Sequence, residues 1–443
     1  MKVNEIRLYA CLLLLTGSLF GWPEWLIEEI DSDGDVGRYS SCVVLWAGHY
    51  QVAYYDSLNG NLKLASLGLD LDWVIQTVDS VGNVGMHTSM FGDIAYYDVT
   101  NGNLKFMEAF PTPSGIEIVD NTGDVGQYAS IDRSMSDQSC ISYYNATNGD
   151  LRFAWRDEST LLWCLETVDS TDNVGLYSSL EADFYNYCIS YYDKTNGDLK
   201  FACRAYGSSP SEWQIITVDS IGDVGRYSSL SWKGYNSWCV SYYDSTNGDL
   251  KFAVLEDSVW SVSTVDSIGD VGRYSSMWAQ GDNQFISYYD ATNGDLKIAL
   301  GDYGTFYKYI VDSIGDVGMY CSLAMQGYWP RISYYDATNS SLKMAIWLGM
   351  GVEEQSATQN MILQLFPNPS YGTIYAYFEF PDNTQVEFLL YGAGGRIVEH
   401  IDPLEYSTGS QMVLFDDLVP GVYLLRIITD GFIGSSKIVV IDG

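Results

Sequence analysis

The chain has 443 residues, 47% of them hydrophobic and 15% aromatic, with 36 Tyr and 42 Gly. That mix belongs to a folded protein of short strands and tight turns, not to a disordered tail. Its 57 acids against 22 bases leave a net charge of −35, which repels phosphate backbones and argues against a nucleic-acid partner. The only histidines, His49, His87 and His400, are scattered, no HExxH stretch occurs, and no GxGxxG or GxxxxGK[ST] loop supports a nucleotide cofactor.

The amino terminus reads as a secretory signal peptide over residues 1–21. Lys2 and Arg7 precede an apolar run over 8–20 that ends in small residues near Gly21. No later stretch reaches transmembrane length, so export into a disulfide-permissive compartment is expected. Removing Cys11 with the signal leaves seven cysteines, an odd number that rules out a complete disulfide framework. Cys140, Cys188 and Cys239 occupy one repeat slot and read as small strand hydrophobes. A turn over 194–197 sets Cys188 opposite Cys203, a candidate cross-strand disulfide.

Internal repetition dominates residues 22–348. A G-[DN]-V-G tetrad starts at Gly34, Gly82, Gly123, Gly222, Gly269 and Gly315, with Asp172–Gly175 filling the remaining place. Seven Tyr-Tyr couplets recur, from Tyr54-Tyr55 to Tyr334-Tyr335, each followed by Asp or Asn and a turn such as Asn247-Gly248. Each unit reads as four short strands at a spacing of 41 to 50 residues, the pattern of a β-propeller blade. The last unit stops after its third strand, near Trp347, while residues 24–31 match an orphan fourth strand. The expected fold is therefore all-β: a seven-bladed β-propeller closed by its N-terminal strand, which removes the open edge a linear array would expose.

The tetrad loops and the strand two–three turns fall on one face, and they concentrate aspartates there. Two readings stay open. In one, Asp, Asn and Gly are turn chemistry; in the other, Asp31, Asp33 and Asp35 bind Ca²⁺, although the rest of a twelve-residue calcium loop is missing. The slot after the tetrad holds Tyr39, His87, Tyr128, Tyr177, Tyr227, Tyr274 and Tyr320, with serines two residues on. These rings read as lining the channel, with aromatic and hydroxyl groups suited to a sugar, or as packing between blades. Arg38, Arg226 and Arg273 share a further slot, and three arginines in a propeller resemble sialidases. No unit supplies a distinctive Glu, however, and the Ser-x-Asp-x-Gly-x-x-Trp box is absent. The variable loops, such as 231–237, lie opposite the repeated ones and are an equal candidate for the site.

After a linker over 349–360, residues 361–443 change character to a small β-sandwich pattern. Pro367-Asn368-Pro369, the Gly394–Val398 run, Gly421-Val422-Tyr423 with its following Leu and Arg, and Lys437 with its apolar run appear in order. In this order they resemble the C-terminal sorting domain of type IX (Por) secretion in Gram-negative bacteria. The resemblance implies type IX machinery as a partner and a secreted or outer-surface location. The repeats resemble bacterial seven-unit propellers of the SYYD-x-TNGDLK type. Together these point to a secreted or cell-surface binding or adhesion module, with glycans as the ligand class. A sialidase-like glycoside hydrolase and a structural surface protein are the alternatives.

Overall fold

A computed structural model of the chain describes residues 23–350 and 363–440, apart from short segments at 46–48, 68–71, 110–112, 135–137, 158, 207–212, 235–236, 303, 367–371, 381–383, 393–395, 407–408, 417 and 430–432. The signal peptide expected over 1–21 and most of the expected linker lie outside these residues. Every regular element described is a strand. Seven four-stranded antiparallel sheets form blades one to six over residues 36–79, 84–120, 125–169, 174–219, 224–266 and 271–312, and blade seven from 317–350 with Pro23–Asp31. Pro23–Asp31 pairs with Ser341–Met350, so the chain closes as its incomplete last repeat requires. That strand runs two residues beyond the boundary expected at 348.

Near-continuous runs of apolar and small residues let each blade bury its middle strands on both faces. In blade five the second strand, Ser237–Asp244, is buried on both faces, whereas the fourth strand of blade four, Gln214–Asp219, is mostly exposed. The first strand is irregular: in Val224–Gly234 the pairing slips between Val224 and Arg226 and again before Ser229. Gly225, the last residue of its tetrad, has φ +109°, and a Cβ there would lie 2.8 Å from the Leu199 Cα of the preceding blade. Only glycine permits that approach. The disulfide Cys188–Cys203 joins directly paired residues of blade four, on the strands the sequence set opposite each other.

The Tyr-Tyr couplet fastens each blade to both neighbours. The first tyrosine donates its O–H, at 2.6–2.8 Å, to the aspartate that ends the preceding blade, as Tyr54 does to Asp31 and Tyr242 to Asp219. The same carboxylates pair with a third-strand cation: Lys63 on Asp31, Arg152 on Asp120, Lys251 on Asp219. Burial pushes the Asp219 carboxyl up, but the hydrogen bonds from Lys251, Tyr242 and the Ile221 N–H, with the Lys251 charge, carry it below the usual range. The second tyrosine donates at 2.5–2.9 Å to the tetrad Asp or Asn of the following blade, as Tyr192 does to Asp223.

First strands are stitched along their length as well. The serines two residues after the ring position each accept a backbone N–H of the next blade, as Ser179 does from Leu230. Two residues further on, Asp132 accepts from Ala182 and Ser231 from Ala279, and Glu181 occupies the equivalent position in blade four. Burial pushes Asp132 up to about 7. Burial, then the Asp132 charge, pushes Glu181 up to about 8.

Two outcomes are expected. Tyr242→Phe should destabilise the propeller by about 1.5–3 kcal/mol, because a buried hydrogen bond to a charged group is lost; a guanidinium midpoint equal to wild type would contradict the fastening role. Asp132 and Glu181 have folded pKa values above their unfolded ones. Their contribution is therefore fully present below pH ~4 and lost as pH rises through about 7 to 8. The Asp132→Asn/Glu181→Gln double variant should flatten the fall in stability over that window; identical pH slopes would contradict it.

Candidate functional site

The slot after the tetrad builds a closed aromatic ring. Tyr39, His87, Tyr128, Tyr177, Tyr227, Tyr274 and Tyr320 follow one another with centroids 4.4–4.8 Å apart, and Tyr320 returns to Tyr39. Successive planes turn by 47–54°, about one seventh of a circle, so the planes stand parallel to the channel axis. Centroids so spaced lie roughly 5 Å from the axis, and rings about 6 Å wide cannot lie face-on to it without overlapping. They stand edge-on, each face against its neighbour's. All seven residues have left-handed backbones, φ 52–55°, a conformation that costs about 1 kcal/mol each. Burial pushes the Tyr227 hydroxyl up to about 12, with Tyr177 adding to it, and holds His87 neutral by pushing its imidazole down to about 4.

The candidate sugar platform therefore has no open ring face: stacking on Tyr39, Tyr128, Tyr177, Tyr227, Tyr274 or Tyr320 is pre-empted by the ring itself. What they offer the channel is ring edges. The structure brings Arg38, Arg226 and Arg273 to the same mouth, each already engaged. Arg38 pairs with Asp35 at 3.0 Å and covers the Tyr335 ring, Arg226 pairs with Asp223 at 2.7 Å over Tyr192, and Arg273 pairs with Asp270 over Tyr243. Burial raises the Asp223 carboxyl, but Tyr192, Ser245 and Arg226 together take it below the usual range.

Two of the three calcium candidates already have partners within the protein. Asp31 and Asp35 are spent inside the protein: Asp31 on Tyr54, Lys63 and the Asp33 N–H, Asp35 on Arg38, Ser57 and Tyr335. Asp33 is exposed and does not join them. Among the described residues no three His, Cys, Asp or Glu side chains are grouped to hold a metal. The turn aspartates are likewise used, as in Asp244, which accepts the N–H groups of Thr246 and Asn247 and the Asn247 amide.

The opposite mouth is different. There the strand one–two hairpins end, and their tips vary from blade to blade. Asp183 accepts the N–H groups of Tyr185 and Asn186, and this tight turn holds Phe184 and Tyr185 out, 52% and 72% exposed. Phe184 meets Trp232 of the next blade edge-on, with centroids 5.9 Å apart, and Trp278 meets Tyr328 at 6.1 Å. Phe91 and Trp329 are also exposed at tips. Lys233 lies between Glu256 and Asp282 nearby. Sequence inspection singled out only the 231–237 loop here, since non-repeating tips carry no periodic signal.

In the C-terminal unit, sheets of three strands (363–366, 374–380, 409–415) and four strands (384–392, 397–406, 421–429, 433–440) share one core. Ile374, Phe415, Phe388 and Leu425 are fully buried in that β-sandwich, and the Tyr423 hydroxyl donates to the Val419 carbonyl at 2.7 Å. Gly421 pairs with Val440, and Lys437 lies opposite Leu424. Pro367, Asn368 and Pro369 lie outside the described residues.

Residues 364–441 match the secretion system C-terminal sorting domain family. No curated protein matches the chain. Among solved structures it is similar to the Hadza microbial sialidase, at 12% identity over 70% of this chain and 65% of that one, TM-score 0.41. It is also similar to an oligogalacturonate lyase from Vibrio parahaemolyticus, at 10% identity over 74% and 98%, TM-score 0.46. A third similar structure is a mutant Aleuria aurantia lectin in complex with α-methyl-L-fucoside, at 12% over 74% and 98%, TM-score 0.38. The chain spans about two thirds of that sialidase's length, and likeness at these values carries no argument about chemistry. The protein is a secreted or cell-surface seven-bladed β-propeller whose C-terminal segment belongs to the secretion system C-terminal sorting domain family.

Proposed function

We propose that the propeller is a binding module for glycans, delivered by the type IX machinery and acting outside the cell, with its ligand on the hairpin-tip mouth of the channel. The observation that carries this reading is the set of exposed, blade-specific aromatics there: Phe91, Phe184, Tyr185 and Trp329. Aromatic faces pack against the C–H face of a sugar ring, while flanking polar groups such as Asp282 and Lys233 bond its hydroxyls. The repeated face supports this by elimination, because its arginines are paired, many of its aspartates already accept Tyr, Lys and N–H donors, and its ring faces are covered. Variation between blades suits recognition of an asymmetric ligand, whereas the repeated face is uniform. The hydrolase alternative has less behind it, since the buried carboxylate Asp132 already accepts the Ala182 N–H of the next blade.

A glycan array probed with the secreted protein should show selective binding. Phe184→Ala/Tyr185→Ala should weaken it at least about tenfold, the scale of losing one or two aromatic anchors. Chelation should leave the signal unchanged. An empty array, or retention unaffected by the double variant, would remove the reading, and turnover of artificial glycosides would replace it with the hydrolase.

A further inference from the structure

One slot of the repeated face adds almost nothing to the core. In all seven entry loops the residue two places after the strand-ending aspartate donates its backbone N–H to that carboxylate, at 2.9–3.3 Å. The turn fixes the backbone but not the side chain, since Asp33, Thr122 and Thr171 fill the slot in three loops and Val81, Ile221, Ile268 and Ile314 in the others. Those four aliphatic residues are 74–79% exposed. In the loop that holds Asp33, Leu58 supplies the apolar group instead: it is 71% exposed, and a Cβ on Gly34 would lie 3.4 Å from its Cδ2. Because the seven turns are equivalent, these side chains leave one face of the toroid. In ring order Ile221, Ile268, Ile314, Leu58 and Val81 cover five consecutive sectors, and Thr122 and Thr171 hold the other two. A single exposed aliphatic residue is ordinary, but five in consecutive sectors make a patch. The tetrad acids of the same sectors are largely neutralised. Arg38, Arg226 and Arg273 pair with Asp35, Asp223 and Asp270, and Asn83 replaces the acid in a fourth sector.

We propose that this crescent is a self-association surface, on which a second copy of the chain docks repeated face to repeated face. Area and charge select that occupant. Five aliphatic side chains this exposed offer roughly 500 Å² of apolar surface. A stable dimer takes about 800 Å² from each partner, a little over half of it apolar, so the crescent with its intervening Ser, Thr and Asn residues is of the right size and composition. Tips set in equivalent slots around one axis form a level surface, which a two-fold axis can lay against its own copy. A membrane contact would instead draw on free Lys and Arg beside the apolar residues, whereas the arginines here are paired with aspartates. Docking through the repeated faces leaves the two hairpin-tip mouths outward. On the glycan reading above, from which this one consequence follows, the pair engages two ligands at once.

Sedimentation velocity of the full chain over a concentration series should show a monomer–dimer equilibrium. Ile221→Thr/Ile268→Thr/Ile314→Thr gives three loops the residue that two others already carry, so the fold is kept, and it should weaken dimerisation at least about tenfold. Added sodium chloride should tighten the dimer, because it screens the repulsion between two chains of net charge −35 and leaves apolar contacts in place. A monomer at every concentration, a dimer that the triple variant leaves unchanged, or one that salt dissociates would overturn the surface. Flotation of the wild type, but not of the variant, with phosphatidylcholine vesicles would assign the crescent to a lipid surface and overturn it too. The measurement needs no glycan, so its failure and that of the array are distinguishable.

Discussion

The propeller depends on one recurring contact: a tyrosine hydroxyl placed on a carboxylate or amide of the adjacent blade. Blades touch mainly through their sheet faces, and non-directional burial alone does not set one blade's angle or height against the next. The couplet does. Its first tyrosine reaches back to the aspartate that ends the preceding blade, and its second reaches forward to the tetrad of the following one. Because neighbouring residues on a strand point to opposite faces, two adjacent tyrosines are the smallest device that holds both neighbours at once. The lysine or arginine on the third strand then compensates the carboxylate that ends the preceding blade, as Lys251 does for Asp219 and Lys297 for Asp266.

That contact also decides what the repeated face can do. A net charge of −35 suggests a surface rich in free acid, yet the aspartates of the repeats are largely consumed as acceptors for Tyr, Lys, Asn and backbone N–H groups. The face that carries the strongest sequence signal is therefore the scaffold. The opposite mouth has no repeat to maintain, and its tips diverge into aromatics held out by local turns such as the one at Asp183. Repetition marks the residues that build the toroid, and its absence marks the surface free to recognise something.

The ring of Tyr39, His87, Tyr128, Tyr177, Tyr227, Tyr274 and Tyr320 stands between the two roles. Each member needs a left-handed backbone, which the preceding glycine and the slipped register of the first strand make attainable. The closed ring sets each aromatic face against its neighbour's, which disfavours a sugar stacked there.

The sequence by itself determined the blade count, the closing strand, the register that sets Cys188 opposite Cys203 and the sorting domain. These are properties of period, turn chemistry and register, and they are local along the chain. It could also list the ring tyrosines, since their slot repeats. Only the tertiary structure decided that their faces cover one another, because that follows from closing seven blades around an axis. The same closure makes Asp31 and Asp35 blade fasteners, by bringing up Tyr54, Lys63 and Tyr335 from elsewhere in the chain. Arg204 illustrates the limit: it sits among Phe153, Trp155, Tyr187 and Trp213 at 5.0–5.4 Å and pairs with Glu166 at 2.6 Å. Nothing in its surrounding residues marks it, because its partners come from two blades that meet only in the folded ring.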